Sequence, residues 1–334
     1  MKNKKINIVI LIFALSLVLY FSLKEDLYGV LDNFFKVKIW CFFLAIILFL
    51  IALFFKSLSL NAYLKKQCGK YNLKKAYNLT LIGQFLNGIT PFQSGGQPFQ
   101  VYLLKKEGMR ISDSTSAMLK DSLSYQIALV FVGFVSLLLN YLLHIFDDKT
   151  LNFLVIIGFI VNFIVLLFLI SLILFKRQFI KIINTLIDFF CKFKVLRKLN
   201  EKKDSISQSV NRFYRLLSDS FDDKMLLLKT VITNIIAFLL LYTIPYVVFL
   251  SLGYNNEILY MILSTSFVML IGNFVPIPGA TGGIEYGFYK FFGFFVSGNM
   301  LTSAMLLWRF ITYIFGMMIG FVSLVLRKGI EKWE

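Results

Sequence analysis

The chain has 334 residues, of which 58% are hydrophobic and 38 are Phe. That composition leaves too little polar surface to coat a soluble globule, so the expected fold class is an all-α integral membrane protein. The formal charge of +17 lies mostly in loops flanking apolar runs, as the positive-inside bias produces, and the expected partners are membrane phospholipids, anionic or aminoacylated, with no nucleic acid.

In chain order the apolar runs are 6 to 23, 39 to 55, about 121 to 143, 151 to 175, 230 to 252 and 302 to 326. Each approaches the roughly 20 residues that a helix needs to cross about 30 Å of hydrocarbon, which gives about six spanning helices. The first follows Lys2, Lys4 and Lys5 and lacks a small-x-small cleavage pattern, so it is expected to be a retained anchor. Cys41 falls in a span, and Cys68 and Cys191 fall in basic loops, which predicts neither disulfides nor a Cys/His metal site, and no cofactor. His144, at a predicted helix end, reads as a solvated interfacial side chain.

Basic clusters at 2 to 5, 56 to 75 and 105 to 120 predict cytoplasmic segments, whereas the loops at 24 to 38, 144 to 149 and 253 to 257 are balanced or acidic and belong outside. The segment 76 to 104 joins two cytoplasmic clusters. A single crossing there would put 176 to 229, with 13 Lys and Arg against 6 Asp and Glu, on the wrong side. Two crossings are excluded by length, since two arms of about 14 residues reach only about 21 Å each. The segment should therefore enter from the cytoplasm, turn at "PFQSGG" and leave again. By the same parity 258 to 297 should turn at "PIPGATGG" from the outside, although its first arm, 258 to 275, is long enough to leave two full spans open. Both termini are then cytoplasmic, in a multi-pass protein of the cell membrane.

The two tips, Pro91 to Gly96 and Pro278 to Gly283, lie 187 residues apart, and each is flanked by a span before and a long span after. This predicts an inverted-topology repeat, with 39 to 143 as the first half, 176 to 229 as a basic connector with an amphipathic helix at "QFIKIINTLIDFF", and 230 to 326 as the second half. Paired Gly/Pro-interrupted segments of this kind point to a transporter's central site. Pro stops a helix, Gly allows close approach, and the freed N–H groups at the following helix N-termini suggest an anion site. Kinked packing helices with small residues at contacts are the alternative.

Candidate substrate-binding residues follow from polarity at membrane depth. In the first hairpin they are Asn87, Gln93, Ser94, Gly95, Gly96, Gln97 and Tyr102, with Gln84, Thr90 and Gln100 nearby. In the second they are Asn273, Pro278, Gly279, Thr281, Gly282, Gly283 and Glu285. Arg309, inside the last span, could clamp a lipid phosphate or form an ion pair with Glu285 or Asp121. No catalytic triad, metal cluster or phosphate loop of the GxxxxGK[ST] type is visible.

At "GITPFQSGGQPFQVYLLKKEGM" and "NFVPIPGATGGIEYGF" the sequence resembles the lysylphosphatidylglycerol synthase transmembrane region, or flippase-like domain, family. The resemblance covers most of the chain and implies one transmembrane domain over 1 to 334 that flips an aminoacylated or anionic phosphatidylglycerol-type lipid between leaflets. It further implies resistance to cationic antimicrobial peptides, a separate lipid synthase as partner, and possible homo-oligomers. The cytosolic synthase domain of the best-known members is not expected here. Gln97 stands where many relatives carry Glu after the glycine pair, which puts proton or cation coupling at that position in question. The alternative is a lipid-modifying enzyme or subunit, related to phosphatidylglycerol lysyltransferases or glycosyltransferases.

Overall fold

Every regular element among the described residues is helical, as backbone surrounded by hydrocarbon requires. The computed structural model describes residues 27 to 191, 203 to 218, 223 to 272, 275 and 277 to 330. The predicted span at 6 to 23 lies outside them.

The predicted outer loop at 24 to 38 contains a short amphipathic helix, α1 (Leu27–Phe35), held to a later span by Asn33 Nδ2 donating to Ser303 Oγ at 3.1 Å. Helix α2 (Ile39–Cys68) runs 30 residues, 13 beyond the expected end at residue 55. Its extension is explained by Leu60, Tyr63 and Leu64, which keep one face buried, and by the lack of a breaker before Gly69, whose φ of 73° ends the helix. Lys56, expected in a loop, therefore lies inside a spanning helix.

The first hairpin is α3 (Leu73–Gly88), a tight turn at Pro91–Gln93, and α4 (Gly96–Lys106). Then come α5 (Ile111–Leu143) and α6 (Lys149–Leu174), two spans joined by a corner in which Asn140 and Asn152 bind the backbone of Phe146. The amphipathic segment is helical as expected, α7 (Lys176–Cys191), and is followed by α8 (Lys203–Ser218). Arg212 of α8 binds Asp113 at the start of α5 with Nε at 2.6 Å and Nη2 at 2.9 Å. Helix α9 (Lys224–Ser251) spans against α2.

The second hairpin is α10 (Ile258–Gly272), a turn at Pro278–Ala280, and α11 (Gly283–Phe292). Helix α10 has 15 residues, about 22 Å at 1.5 Å each, too short to cross. The length of this arm and the position of its tip, described below, make the segment a re-entrant hairpin rather than two spans. The last span begins as α12 (Gly298–Arg309), passes through a π-helical turn at Phe310–Phe315 and continues as α13 (Gly316–Ile330). Five helical stretches among the described residues are long and apolar enough to span: α2, α5, α6, α9 and Gly298–Arg327.

The two tips share the left-handed conformation at their second and third positions, offset by 187 residues, and diverge after it, Ser94 being helical where Thr281 is extended. Phe92 and Gln93 have φ of 53°, and their counterparts Gly279 and Ala280 have 65° and 53°. The internal hydrogen bonds match as well: Gln93 and Ala280 donate to the carbonyls of Thr90 and Ile277, and the hydroxyls of Ser94 and Thr281 each donate to the preceding proline carbonyl at 2.9 Å. Left-handed backbone costs a non-glycine residue about 1–2 kcal/mol, so Phe92, Gln93 and Ala280 are held there by their surroundings.

The hairpins enter from opposite ends and meet. Tyr313 in the π-turn donates to the Gly88 carbonyl at 2.9 Å, while its ring packs where a side chain on Gly279 would have to go. Tyr313 is near the midpoint of the last span, roughly 22 Å of helix from Gly298 and about 21 Å from Arg327. The second hairpin is bedded in an aromatic core, with Phe288 stacked on Phe292 at 4.2 Å and on Trp308 at 5.1 Å. The first packs through Leu79, Ile82 and Leu103 on Leu60 and Leu64 of α2. At the basic end Glu107 joins Tyr71 and Arg327, and Lys66 binds Asp223 at 2.8 Å.

Candidate functional site

A cavity of about 150 Å³ lies where the tips meet, bounded by α2, α5, α9 and the last span. Of the polar residues expected to matter, Asn87, Gln93, Gly279 and Arg309 line it, together with Gln84.

Arg309 organises the second tip. Its Nη2 donates to the Gly279 carbonyl at 3.2 Å and to Thr281 Oγ1 at 3.4 Å, and its guanidinium lies 4.4 Å from the Tyr313 ring centroid. Its Nε is 2.7 Å from Glu285 Oε1, a Coulombic contact without hydrogen-bond alignment. The other carboxylate oxygen, Oε2, accepts from Gly282 N at 2.6 Å and so caps α11, a position where the helix dipole favours an anion. Of the two ion-pair readings of Arg309, Glu285 is therefore the partner. Asp121 belongs to another group: its Oδ1 accepts from Ser59 Oγ at 2.6 Å, and Asn234 Nδ2 donates to the same hydroxyl at 3.0 Å.

Three of the backbone N–H groups expected to hold an anion are already engaged. Gly95 N donates to Thr90 Oγ1 at 2.9 Å, Gly96 N to Asn87 Oδ1 at 2.9 Å, and Gly282 N to Glu285. The glycines serve close packing instead: a methyl on Gly96 would lie 2.4 Å from Asn87 Oδ1, and one on Gly283 would lie 2.3 Å from Val275 Cγ2. Pro278 is buried at the start of its turn.

Ser94, Gln97 and Tyr102 are exposed and do not line the cavity. Gln97 Nε2 donates to Ser122 Oγ at 2.7 Å, and the Tyr102 ring packs against Phe99 and under Lys106. Asn273 lies outside the described residues.

The sequence matches the family described as "Lysylphosphatidylglycerol synthase TM region" over residues 6 to 320. The chain belongs to that family. It is also similar to the "UPF0104 membrane protein" of Archaeoglobus fulgidus, 27% identical over 266 residues that cover 73% of this chain and 74% of the relative. The "UPF0104 membrane protein MJ1595" of Methanocaldococcus jannaschii is 24% identical over 271 residues, 78% and 77% of the two chains.

In this member of the synthase transmembrane-region family the cavity has contributors that sequence reasoning passed over. Lys56, Tyr125, Asn234, Trp308 and Tyr313 all line it. Lys56 Nζ lies 5.0 Å over the Tyr125 ring, so each cation at the cavity faces a tyrosine. The available signal for Lys56 was the eight uncharged residues that separate it from the next lysine, Lys65. The tyrosines offered none, since an aromatic residue in an apolar run usually reads as packing.

Proposed function

We propose that the protein moves a phospholipid of the anionic or aminoacylated phosphatidylglycerol type between the leaflets of the cell membrane, with both termini cytoplasmic. The observation that carries this reading is the convergence of two broken hairpins, from opposite ends, on one cavity lined by Arg309. Irregular backbone at membrane depth is tolerated where it is buried or lines such a cavity. At about 150 Å³ the cavity has room for a phosphate group but not for a whole lipid. In this reading only the headgroup enters and the acyl chains stay in the bilayer. The tips part for each passage, and the neutral hydrogen bond from Tyr313 to Gly88 contributes only about 0.5–1.5 kcal/mol against that.

The test is lipid flipping in proteoliposomes beside a thermal-stability assay. Arg309→Lys keeps the charge but not the planar fork, and it should fold yet lose roughly tenfold or more in rate. Arg309→Met should lose about 3–5 kcal/mol of stability by stranding Glu285, and adding Glu285→Gln should recover much of that without restoring transport. Full flipping by a folded Arg309→Met protein would leave Arg309 a purely structural residue.

A further inference from the structure

The cavity has a second cation, on the wall formed by α2. Lys56 Nζ has no hydrogen-bond acceptor among the described residues; its recorded neighbours are the Tyr125 ring at 5.0 Å and, at Coulombic range, Asp121. An ammonium group has three donors, and leaving them uncommitted away from bulk water is expensive. Both cations, Lys56 and Arg309, line the cavity, and neither of their carboxylates does. Each carboxylate is tied back by a hydrogen bond of its own, Asp121 to Ser59 Oγ and Glu285 to Gly282 N, both at 2.6 Å. A cation that turns toward a ligand leaves its carboxylate held by that one bond. The inner surface presented to a ligand is thus positive from two directions.

The two cations differ in depth. Lys56 is 12 residues from the end of α2 at Cys68, about 18 Å of helix, and Arg309 is 18 residues from Arg327, about 27 Å. Both ends lie on the same side of the bundle, because Glu107 binds both Tyr71, just past α2, and Arg327. Counted along its own helix, Lys56 is thus nearer the basic end than Arg309 by about 9 Å.

Building on the lipid-transport reading, we propose that Lys56 is a second phosphate-binding station, in series with Arg309 and nearer the basic end, so that a phosphate ester is held by one cation as it leaves the other. The recognised chemistry is a phosphate with at least one negative charge, supplied by a phospholipid headgroup or by a free phosphate.

Two measurements on the full chain test this. In detergent, titration with glycerol phosphate should show affinity roughly ten- to a hundredfold weaker in Lys56→Met/Asp121→Asn than in the parent, and Lys56→Arg should retain most of it. The paired change removes both charges, so no carboxylate is stranded. Should it fail to fold, Lys56→Gln, which keeps a neutral donor in place, carries the same expectation. In proteoliposomes the paired variant should slow a fluorescent phosphatidylglycerol while leaving a phosphate-free fluorescent glycolipid at the parent's rate, and a parallel arm follows radiolabelled inorganic phosphate. Unchanged glycerol phosphate affinity in a folded variant overturns the proposal, as does equal slowing of both lipids, which would mark Lys56 as structural. Lys56-dependent binding with no lipid movement by the parent, or with passage of inorganic phosphate alone, supports the station and removes the lipid reading.

Discussion

Gly279 is where the demands on the second tip coincide. Its φ of 65° is left-handed, its carbonyl accepts from Arg309, and a methyl at its Cα would lie 2.3 Å from the Tyr313 ring. Gly279→Ala should therefore lose about 2 kcal/mol or more, from left-handed strain and overpacking together, read as a lowered thermal midpoint. Transport should fall further than stability, because the displaced ring is the one that lies on Arg309 and binds Gly88. Residues were legible in the sequence to unequal degrees. Arg309 and Glu285 stood out as charges in apolar surroundings, and their pairing was one of the readings kept open. Lys56 did not, because it closes the run of apolar residues 39 to 55 and so looked like a flanking charge that sets orientation. The glycine N–H groups were misread for a different reason: spacing reveals that donors are freed, but not that Asn87, Thr90 and Glu285 fold back to take them.

At the scale of elements, charge parity was enough to identify 76 to 104 as a hairpin, since no other path kept the basic loops together. It could not decide 258 to 297, where two spans give the same parity. The 15-residue length of α10 and the meeting of its tip with Gly88 through Tyr313 decide it. The ends of α2 were illegible because helices outrun the bilayer, and a charged turn can continue a helix as easily as end it. The hairpins also differ in what they hide. Thr281 is buried and Ser94 exposed, so with cysteine substitutions in a cysteine-free background Thr281→Cys should resist even small thiol reagents from either side. Ser94→Cys should react with a small reagent added on the side of the basic loops. Reaction of Thr281→Cys at the rate of an exposed cysteine would contradict the burial of the second tip.

At the scale of the molecule, the two halves are read together by one helix. Arg309 in α12 holds the second tip, Tyr313 in the π-turn touches both, and Met317 in α13 packs where a side chain on Gly88 of the first hairpin would go. The 187-residue offset was visible in the sequence, and the matched φ angles at Phe92 with Gly279 and Gln93 with Ala280 give it a conformational basis. The joining helix was not foreseen, because a π-turn leaves no mark in an apolar run. Its presence makes the site a matter of counting. A π-turn amounts to one residue inserted into an α-helix, and each residue turns the helix by about 100°. Deleting Phe310, which is exposed, should give a smoother helix by circular dichroism yet swing Arg309 about 100° away from Glu285, with transport lost and the thermal midpoint lowered. The two hairpins are thus kept in phase by a single surplus residue, and the loss of that one codon would mend the helix and break the site.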